Sequence, residues 1–322
     1  MPLGEFDLIQ QFFTRDQDQP GLVVGIGDDA AVVKIPPDRR LVVTADTLVA
    51  GVHFPEQASP EDIGYKSLAV NLSDLGAMGA IPRWYTLSLT LPVANEAWLS
   101  AFSTGLQLLE TEEAVVLIGG DTTRGPLSIS IQAMGLVRPG AAVLRSGANA
   151  GDDIYVTGTL GDAALGLQSV VGEVSESLLP GSALAGCIDR LNRPQPRTIA
   201  GYSLAPFVTA MIDCSDGFTA DLGHILRASG CGAEVMLESL PLSSAVRCWV
   251  ESQGWQLPLS GGDDYELIFT ADSAQREVIN GIAENLHCAI TPVGKVVPGA
   301  GLKLIKRDGV VVESDPRGYT HF

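Results

Sequence analysis

Runs rich in Val, Ile and Leu alternate with helix-period patterns along the whole chain. In the first half, strands are predicted near 31–35, 41–45, 84–91, 114–118 and 127–137. Thr86-Leu87-Ser88-Leu89-Thr90-Leu91 and Ser128-Ile129-Ser130-Ile131 alternate with period two, the pattern of a strand with one buried face. The clearest helix covers about 60–79. Ser59 is a good N-cap, Pro60 suits the first helical position and Asp62 completes a capping box. A second helix begins near Asn95, with Trp98, Leu99, Phe102, Leu106 and Leu109 at helical spacing.

The second half reads as strand 153–157, helices 161–172 and about 183–191, and a Pro-rich loop at 193–196. Strands near 208–213, 233–237, 265–271, 292–297 and 302–305 follow, some separated by helices near 217–229, 243–253 and 273–286. Between the halves lies Ser146-Gly-Ala-Asn-Ala-Gly-Asp152, a small, polar, Gly-rich stretch that suits a domain boundary. Two domains of α/β class are expected, 1–147 and 148–322. The pattern does not determine the order of strands in either sheet.

Composition narrows the chemistry. The 322 residues are 46% hydrophobic, ample for a sizeable core, and carry 38 acidic against 20 basic side chains, a net charge of −18. Such a surface repels nucleic-acid phosphates and anionic lipid, so neither is an expected partner. No apolar run reaches the roughly 18 residues that would suggest a membrane span. The N-terminus lacks the basic and apolar regions of a secretory signal. The five cysteines form no Cys-x-x-Cys pair, so free thiols in a reducing cytoplasm are expected.

Many aspartates sit beside glycines at the ends of apolar runs. Asp28 and Asp29 lie in Gly25-Ile-Gly-Asp-Asp-Ala30. Asp46 closes Leu41-Val-Val-Thr-Ala-Asp46, and Asp121 closes Val115-Val-Leu-Ile-Gly-Gly-Asp121. Asp213 and Asp216 belong to Met211-Ile-Asp-Cys-Ser-Asp-Gly217, and Asp263 and Asp264 follow Ser260-Gly-Gly. Strand ends in α/β sheets open onto ligand crevices, and Mg²⁺ prefers carboxylate oxygens; aspartate is also an ordinary turn residue. Asp74 joins Ser67 and Asn71 in one polar stripe on an apolar helix. A carboxylate there needs a partner, either a metal ion or a structural cation such as arginine.

Aspartates facing a triphosphate repel it, at about 4 kcal/mol for unit charges about 4 Å apart at an effective dielectric of 20. Divalent cations between them reverse the sign, so an acid-rich, Lys-poor site suits metal-bridged nucleotide binding. The chain has no P-loop and no protein-kinase catalytic set. Arg124 and Arg145 are placed to meet phosphate, or are plain surface arginines. The N–H groups around Asp216-Gly217, with the Ser215 hydroxyl, either meet an anion or are capped internally.

These motifs resemble the bacterial thiamine-monophosphate kinase family. The likeness rests on Gly25–Ala30, Thr44-Ala-Asp-Thr47 with Gly51-Val-His-Phe54, Asn71-Leu-Ser-Asp-Leu-Gly-Ala-Met-Gly-Ala80 and Gly119-Gly-Asp-Thr-Thr-Arg-Gly-Pro126. It continues through Ile212-Asp-Cys-Ser-Asp-Gly217, Ser260-Gly-Gly-Asp-Asp-Tyr-Glu-Leu267 and the ending Gly318-Tyr-Thr-His-Phe322. The resemblance implies an aminoimidazole ribonucleotide synthetase-like two-domain fold: an α+β N-terminal domain with a mixed sheet, used in a homodimer, and an α/β C-terminal domain that covers the nucleotide. It implies ATP-dependent conversion of thiamine monophosphate to the diphosphate with several Mg²⁺ ions. Carried over residue by residue, Mg²⁺ ligation falls on Asp29, Thr44, Ala45, Asp46, Asp74, Asp121, Asp213 and Asp216. ATP contacts fall on Gly120, Asp121, Arg145 and Ser215, and substrate contacts on His53, Asp263 and Tyr319.

Two positions depart from the family pattern. Residue 45 is Ala where Thr is usual, and residue 263 is Asp where Glu is common. No side chain is an obvious general base, so the resemblance is read as direct in-line transfer from ATP to a substrate phosphate oxygen. His53 is read as a substrate contact, with a structural or a base role as the alternatives. A synthetase of the same superfamily remains an alternative activity. So does a maturation protein of that fold, although the relative of that kind ends in a functional Cys and this chain does not.

Overall fold

The computed structural model describes residues 5–15, 19–174, 179 and 181–312. The chain divides into two compact units: 1–75 with 80–140, and 76–79 with 141–322. Tyr319 and the Gly318–Phe322 ending lie outside the described residues.

The first unit runs α1 (Glu5–Leu8) with a following π turn, β1 (Leu22–Val24), β2 (Val32–Val33), β3 (Arg40–Val49), α2 (Pro60–Ala77), β4 (Ile81–Leu91), α3 (Glu96–Glu113), β5 (Val116–Arg124) and β6 (Ser128–Val137). Its main sheet has the order β3-β6-β4-β5, antiparallel except for the parallel β4–β5 pair. The expected capping box forms: Asp62 N–H donates to Ser59 Oγ at 3.1 Å, and the Ser59 hydroxyl donates to Asp62 at 2.8 Å. Asn95 caps α3 by accepting from Trp98 N–H at 3.1 Å. Both helices lie on the same face of the sheet, α3 through Tyr85, whose hydroxyl donates to Glu110 at 2.5 Å, and α2 through Asp46 and Thr44. Leu68, Leu72, Leu75, Leu99, Phe102 and Leu106 are fully buried in that layer. The β1–β2 hairpin covers part of the opposite face, around Trp84, Ile118 and Met134.

The second unit runs β7 (Asp153–Thr157), α4 (Asp162–Val170), α5 (Gly181–Asn192), α6 (Thr198–Leu204), β8 (Ala210–Asp213), α7 (Phe218–Ser229), β9 (Gly232–Met236), α8 (Ser244–Gln253), α9 (Gln256–Ser260), β10 (Leu267–Ala271), α10 (Arg276–Leu286), β11 (Ile290–Val297), β12 (Gly301–Ile305) and β13 (Val311–Val312). One seven-stranded sheet has the order β13-β12-β9-β11-β7-β10-β8. Every pair is antiparallel except β9–β12. Its two faces carry separate apolar clusters, one around Phe218, Leu222 and Ile268, the other around Tyr155 and Phe269, whose rings stack at 5.1 Å.

Two expectations change. Asp46 does not close its strand, because β3 continues to Val49, and Asp121 lies inside β5, which continues to Arg124. Backbone pairing with β6 and β4 carries both strands past the apolar run that suggested their ends. The short helices α6 and α9 were not foreseen, as each is too short to show a helical period. Ser59→Ala removes the α2 capping box and is expected to cost about 1 kcal/mol of unfolding free energy in urea titration, with an unchanged m-value.

Candidate active site

In the first unit the α2 stripe meets β3. Thr44 and Asp46 are two residues apart, so they share the face toward α2, while Ala45 points to the other face and is exposed. Ser67 and Asn71 are fully buried. Ser67 donates to the Ile63 carbonyl at 2.7 Å, and Asn71 donates to the Ser67 carbonyl at 3.1 Å. The remaining Asn71 oxygen accepts the Asp46 N–H at 3.1 Å, and Thr44 donates to the Asp74 carboxylate. The stripe thus fixes helix against strand and brings two carboxylates into one electrostatic environment. Burial first, and then the Asp74 charge, push the Asp46 carboxyl from its ordinary 3.8 up to about 6.

The motifs at 25–31 and 119–122 line one cavity of about 710 Å³ in the same unit, together with Thr86 and Leu87. Asp29, Gly120 and Asp121 are gathered there. Asp29 N–H donates to Asp28 Oδ1 at 2.9 Å, which holds the turn. Gly120 is required by space: a Cβ there would lie 1.9 Å from the Leu87 carbonyl oxygen. His53 accepts the Val49 N–H on Nδ1 at 3.0 Å, which leaves the proton on Nε2. That nitrogen is then a hydrogen-bond donor, and in this tautomer it has no lone pair with which to act as a base.

In the second unit the motifs at 212–217 and 260–267 lie side by side, extending the β8–β10 pairing of Asp213 with Leu267. Asp263 N–H donates to the Ser215 carbonyl at 2.9 Å, Tyr265 N–H to Cys214 at 2.9 Å, and Cys214 N–H to Glu266 at 2.7 Å. Asp213, Ser215, Asp216 and Asp263 are therefore neighbours in the fold. Gly217 has φ 115°, and a Cβ on it would lie 2.8 Å from the Ser260 backbone. The N–H groups of Asp216 and Gly217 donate to Asp221 at 3.0 and 3.1 Å, so internal capping uses them and they are not offered to an anion. Burial pushes the Asp221 carboxyl up to about 7 against those donors. Arg145 and Arg124 are both exposed.

Among the described residues, no three His, Cys, Asp or Glu side chains form one metal-sized cluster. The Asp46–Asp74 pair nonetheless fits a hard divalent cation. Both side chains offer oxygen donors, and their mutual repulsion is relieved by either a proton or a cation. Asp221 and the anchor at Glu266, described below, were not singled out from the sequence. Glu266 stands inside the Ser260–Leu267 motif and Asp221 four residues beyond Gly217, but only the fold shows which backbone groups and arginines they meet.

Family models for AIR synthase related proteins match the chain in both parts, the N-terminal domain over residues 27–137 and the C-terminal domain over 149–307. The thiamine-monophosphate kinase of Salmonella typhimurium is 46% identical, over all of this chain and 99% of its own length. The chain belongs to the thiamine-monophosphate kinase family. The Bacillus subtilis kinase is 36% identical over 99% of this chain and 100% of its own. A crystal structure of the kinase from Stenotrophomonas maltophilia K279a superposes with a TM-score of 0.83 at 46% identity, covering 92% of this chain and 93% of that one. A structure of AaThiL complexed with AMPPCP and TMP gives 0.76 at 33% identity, with 92% of each chain covered. The protein is a kinase with the AIR synthase-related two-domain fold. E. coli HypE, a hydrogenase maturation protein, shares the fold at a TM-score of 0.79 but only 22% identity.

Without divalent ions, Asp46 binds its proton more tightly in the folded than in the unfolded chain. The Asp46 contribution to stability therefore falls as pH rises from about 4 through 6. In EDTA, Asp46→Asn is expected to raise the unfolding free energy at pH 8 by on the order of 1–3 kcal/mol. The gain should shrink at pH 5, as read by urea titration at the two pH values.

Proposed function

We propose that this chain transfers the γ-phosphoryl group of ATP to thiamine monophosphate, giving thiamine diphosphate and ADP, by direct in-line displacement with several Mg²⁺ ions. The observation that carries the reading is the convergence of full-length likeness to thiamine-monophosphate kinases with carboxylates and Gly-rich loops at the matching positions. In the first unit the cavity beside Gly120 and Asp121 is the proposed nucleotide site, and the family resemblance adds Arg145 and Ser215 of the second unit as ATP contacts. Asp29, Asp46, Asp74, Asp121, Asp213 and Asp216, with Thr44 and the Ala45 carbonyl, would hold the metal ions. The Ala45 methyl points away from Thr44 and Asp46, so Ala in place of Thr leaves those donors untouched. Bound Mg²⁺ would offset the charge of the polyphosphate.

The acceptor is a phosphate oxygen of thiamine monophosphate, which is anionic at neutral pH and needs no base to remove a proton. A bond forms from that oxygen to Pγ, the bond from Pγ to the β,γ-bridging oxygen breaks, and ADP leaves with the electron pair. His53, with Nε2–H as donor, and Asp263 contact the substrate, and Tyr319 supplies an aromatic face. The enzyme works in the cytoplasm, in keeping with its five free cysteines and with no membrane-crossing helix among the described residues. It works as a homodimer through the face of the N-terminal sheet away from the helices. There β3 exposes Leu41 and Val43, 40% and 48% accessible.

Incubation with ATP, Mg²⁺ and thiamine monophosphate is expected to yield thiamine diphosphate, identified by mass spectrometry, and EDTA is expected to abolish the product. ATP consumption with a purine-pathway ribonucleotide and none with thiamine monophosphate would replace this reading with the synthetase one.

A further inference from the structure

The segment Asp263–Glu266 is held more firmly than any turn requires. Asp263 and Tyr265 both have left-handed backbone, φ 70° and 51°, a conformation uncommon for aspartate and rarer for a bulky residue. The two residues between and after them point inward. Asp264, 1% exposed, accepts the Gly161 N–H at 2.6 Å and the Ala163 N–H at 3.3 Å at the start of α4. Glu266, fully buried, receives a two-pronged contact from Arg197, both prongs 2.6 Å, with Arg190 at 2.6 Å and the Thr157 hydroxyl at 2.6 Å. Arg190 also donates to the Asp264 carbonyl at 3.0 Å. The backbone is pinned on its other side by the bonds to Cys214 and Ser215.

Such an anchor over-determines the backbone, which is the condition under which strained residues persist. What it holds in place are the two half-buried side chains of alternate residues. The Tyr265 hydroxyl donates to Asp263 Oδ1 at 3.2 Å, so the ring stands beside a carboxylate whose orientation it sets. A carboxylate next to an aromatic ring suits a flat cation: the charge meets the carboxylate and the ring face meets the π surface.

We infer that Tyr265 is a specificity-determining residue, positioning the Asp263 carboxylate so that the pair reads the positively charged ring of the phosphate acceptor. This rests on the acceptor being thiamine monophosphate, as proposed above, whose thiazolium ring carries a permanent charge. The Asp263 side chain is within reach of the Tyr265 hydroxyl, so its carboxylate is oriented by a neighbour two residues away.

The test compares wild type, Tyr265→Phe, Tyr265→Ala and Asp263→Asn in steady-state kinetics. The acceptors are thiamine monophosphate and the analogue in which carbon replaces the charged ring nitrogen. Tyr265→Phe keeps the ring and loses one hydrogen bond, so KM for thiamine monophosphate should rise about 2- to 12-fold. KM for ATP should stay unchanged, and the preference for the charged acceptor should narrow. Tyr265→Ala should lose more, and Tyr265→Phe with Asp263→Asn should be less than additive. A residue that merely stabilised the loop would not change discrimination between charged and uncharged acceptors. Wild-type KM and wild-type selectivity in Tyr265→Phe would overturn the inference while leaving the kinase reading intact. A wild-type enzyme that phosphorylates no thiamine monophosphate would overturn both.

Discussion

Two carboxylates that burial brings into one electrostatic environment are the constraint on which the first unit turns. Asp46 and Asp74 come from a strand and a helix, and the polar stripe that joins those elements also brings the acids together. Like charges in a partly buried setting disfavour ionisation, so the pair calls for a proton or a cation. In a chain of net charge −18 with only five lysines, a divalent cation is the counter-charge that also suits a polyphosphate. The Thr44 hydroxyl and the Asn71 amide do not neutralise the pair. They orient the helix and the strand that carry it.

The second unit solves the opposite problem. Three of its buried acids are satisfied from within: Asp221 by backbone N–H groups, Asp264 by the start of α4, and Glu266 by two arginines and a threonine. Removing one partner from such a network leaves the remaining charge buried and uncompensated, which is costly. These contacts maintain a left-handed backbone at Asp263 and Tyr265 that is uncommon for aspartate and rarer for a bulky residue. A firmly held frame with outward-facing polar and aromatic side chains is what precise recognition of a small substrate requires.

Much of this was legible in the residues themselves. Period-two and helical patterns located the long elements, and Ser59-Pro60 and Asn95 marked their starts because capping is a local interaction. The stripe Ser67, Asn71, Asp74 identified the side of α2 that meets β3. What the residues did not disclose depends on distant pairing. β3 and β5 extend past their apolar runs because neighbouring strands continue the ladder. The fate of the Asp216 and Gly217 N–H groups depended on Asp221, one turn into α7. Glu266 stood in a quoted motif, but its arginine partners come from α5 and from the residue before α6, 76 and 69 positions away, and no spacing rule relates them.

The proposed function stands or falls on a divalent cation linking acidic protein to acidic nucleotide. Calorimetry of ATP binding to the wild-type protein, with Mg²⁺ and with EDTA at the same ionic strength, tests it directly. The account predicts measurable binding with Mg²⁺ and a collapse of affinity without it. Equal affinity in the two conditions would contradict the metal-bridged site.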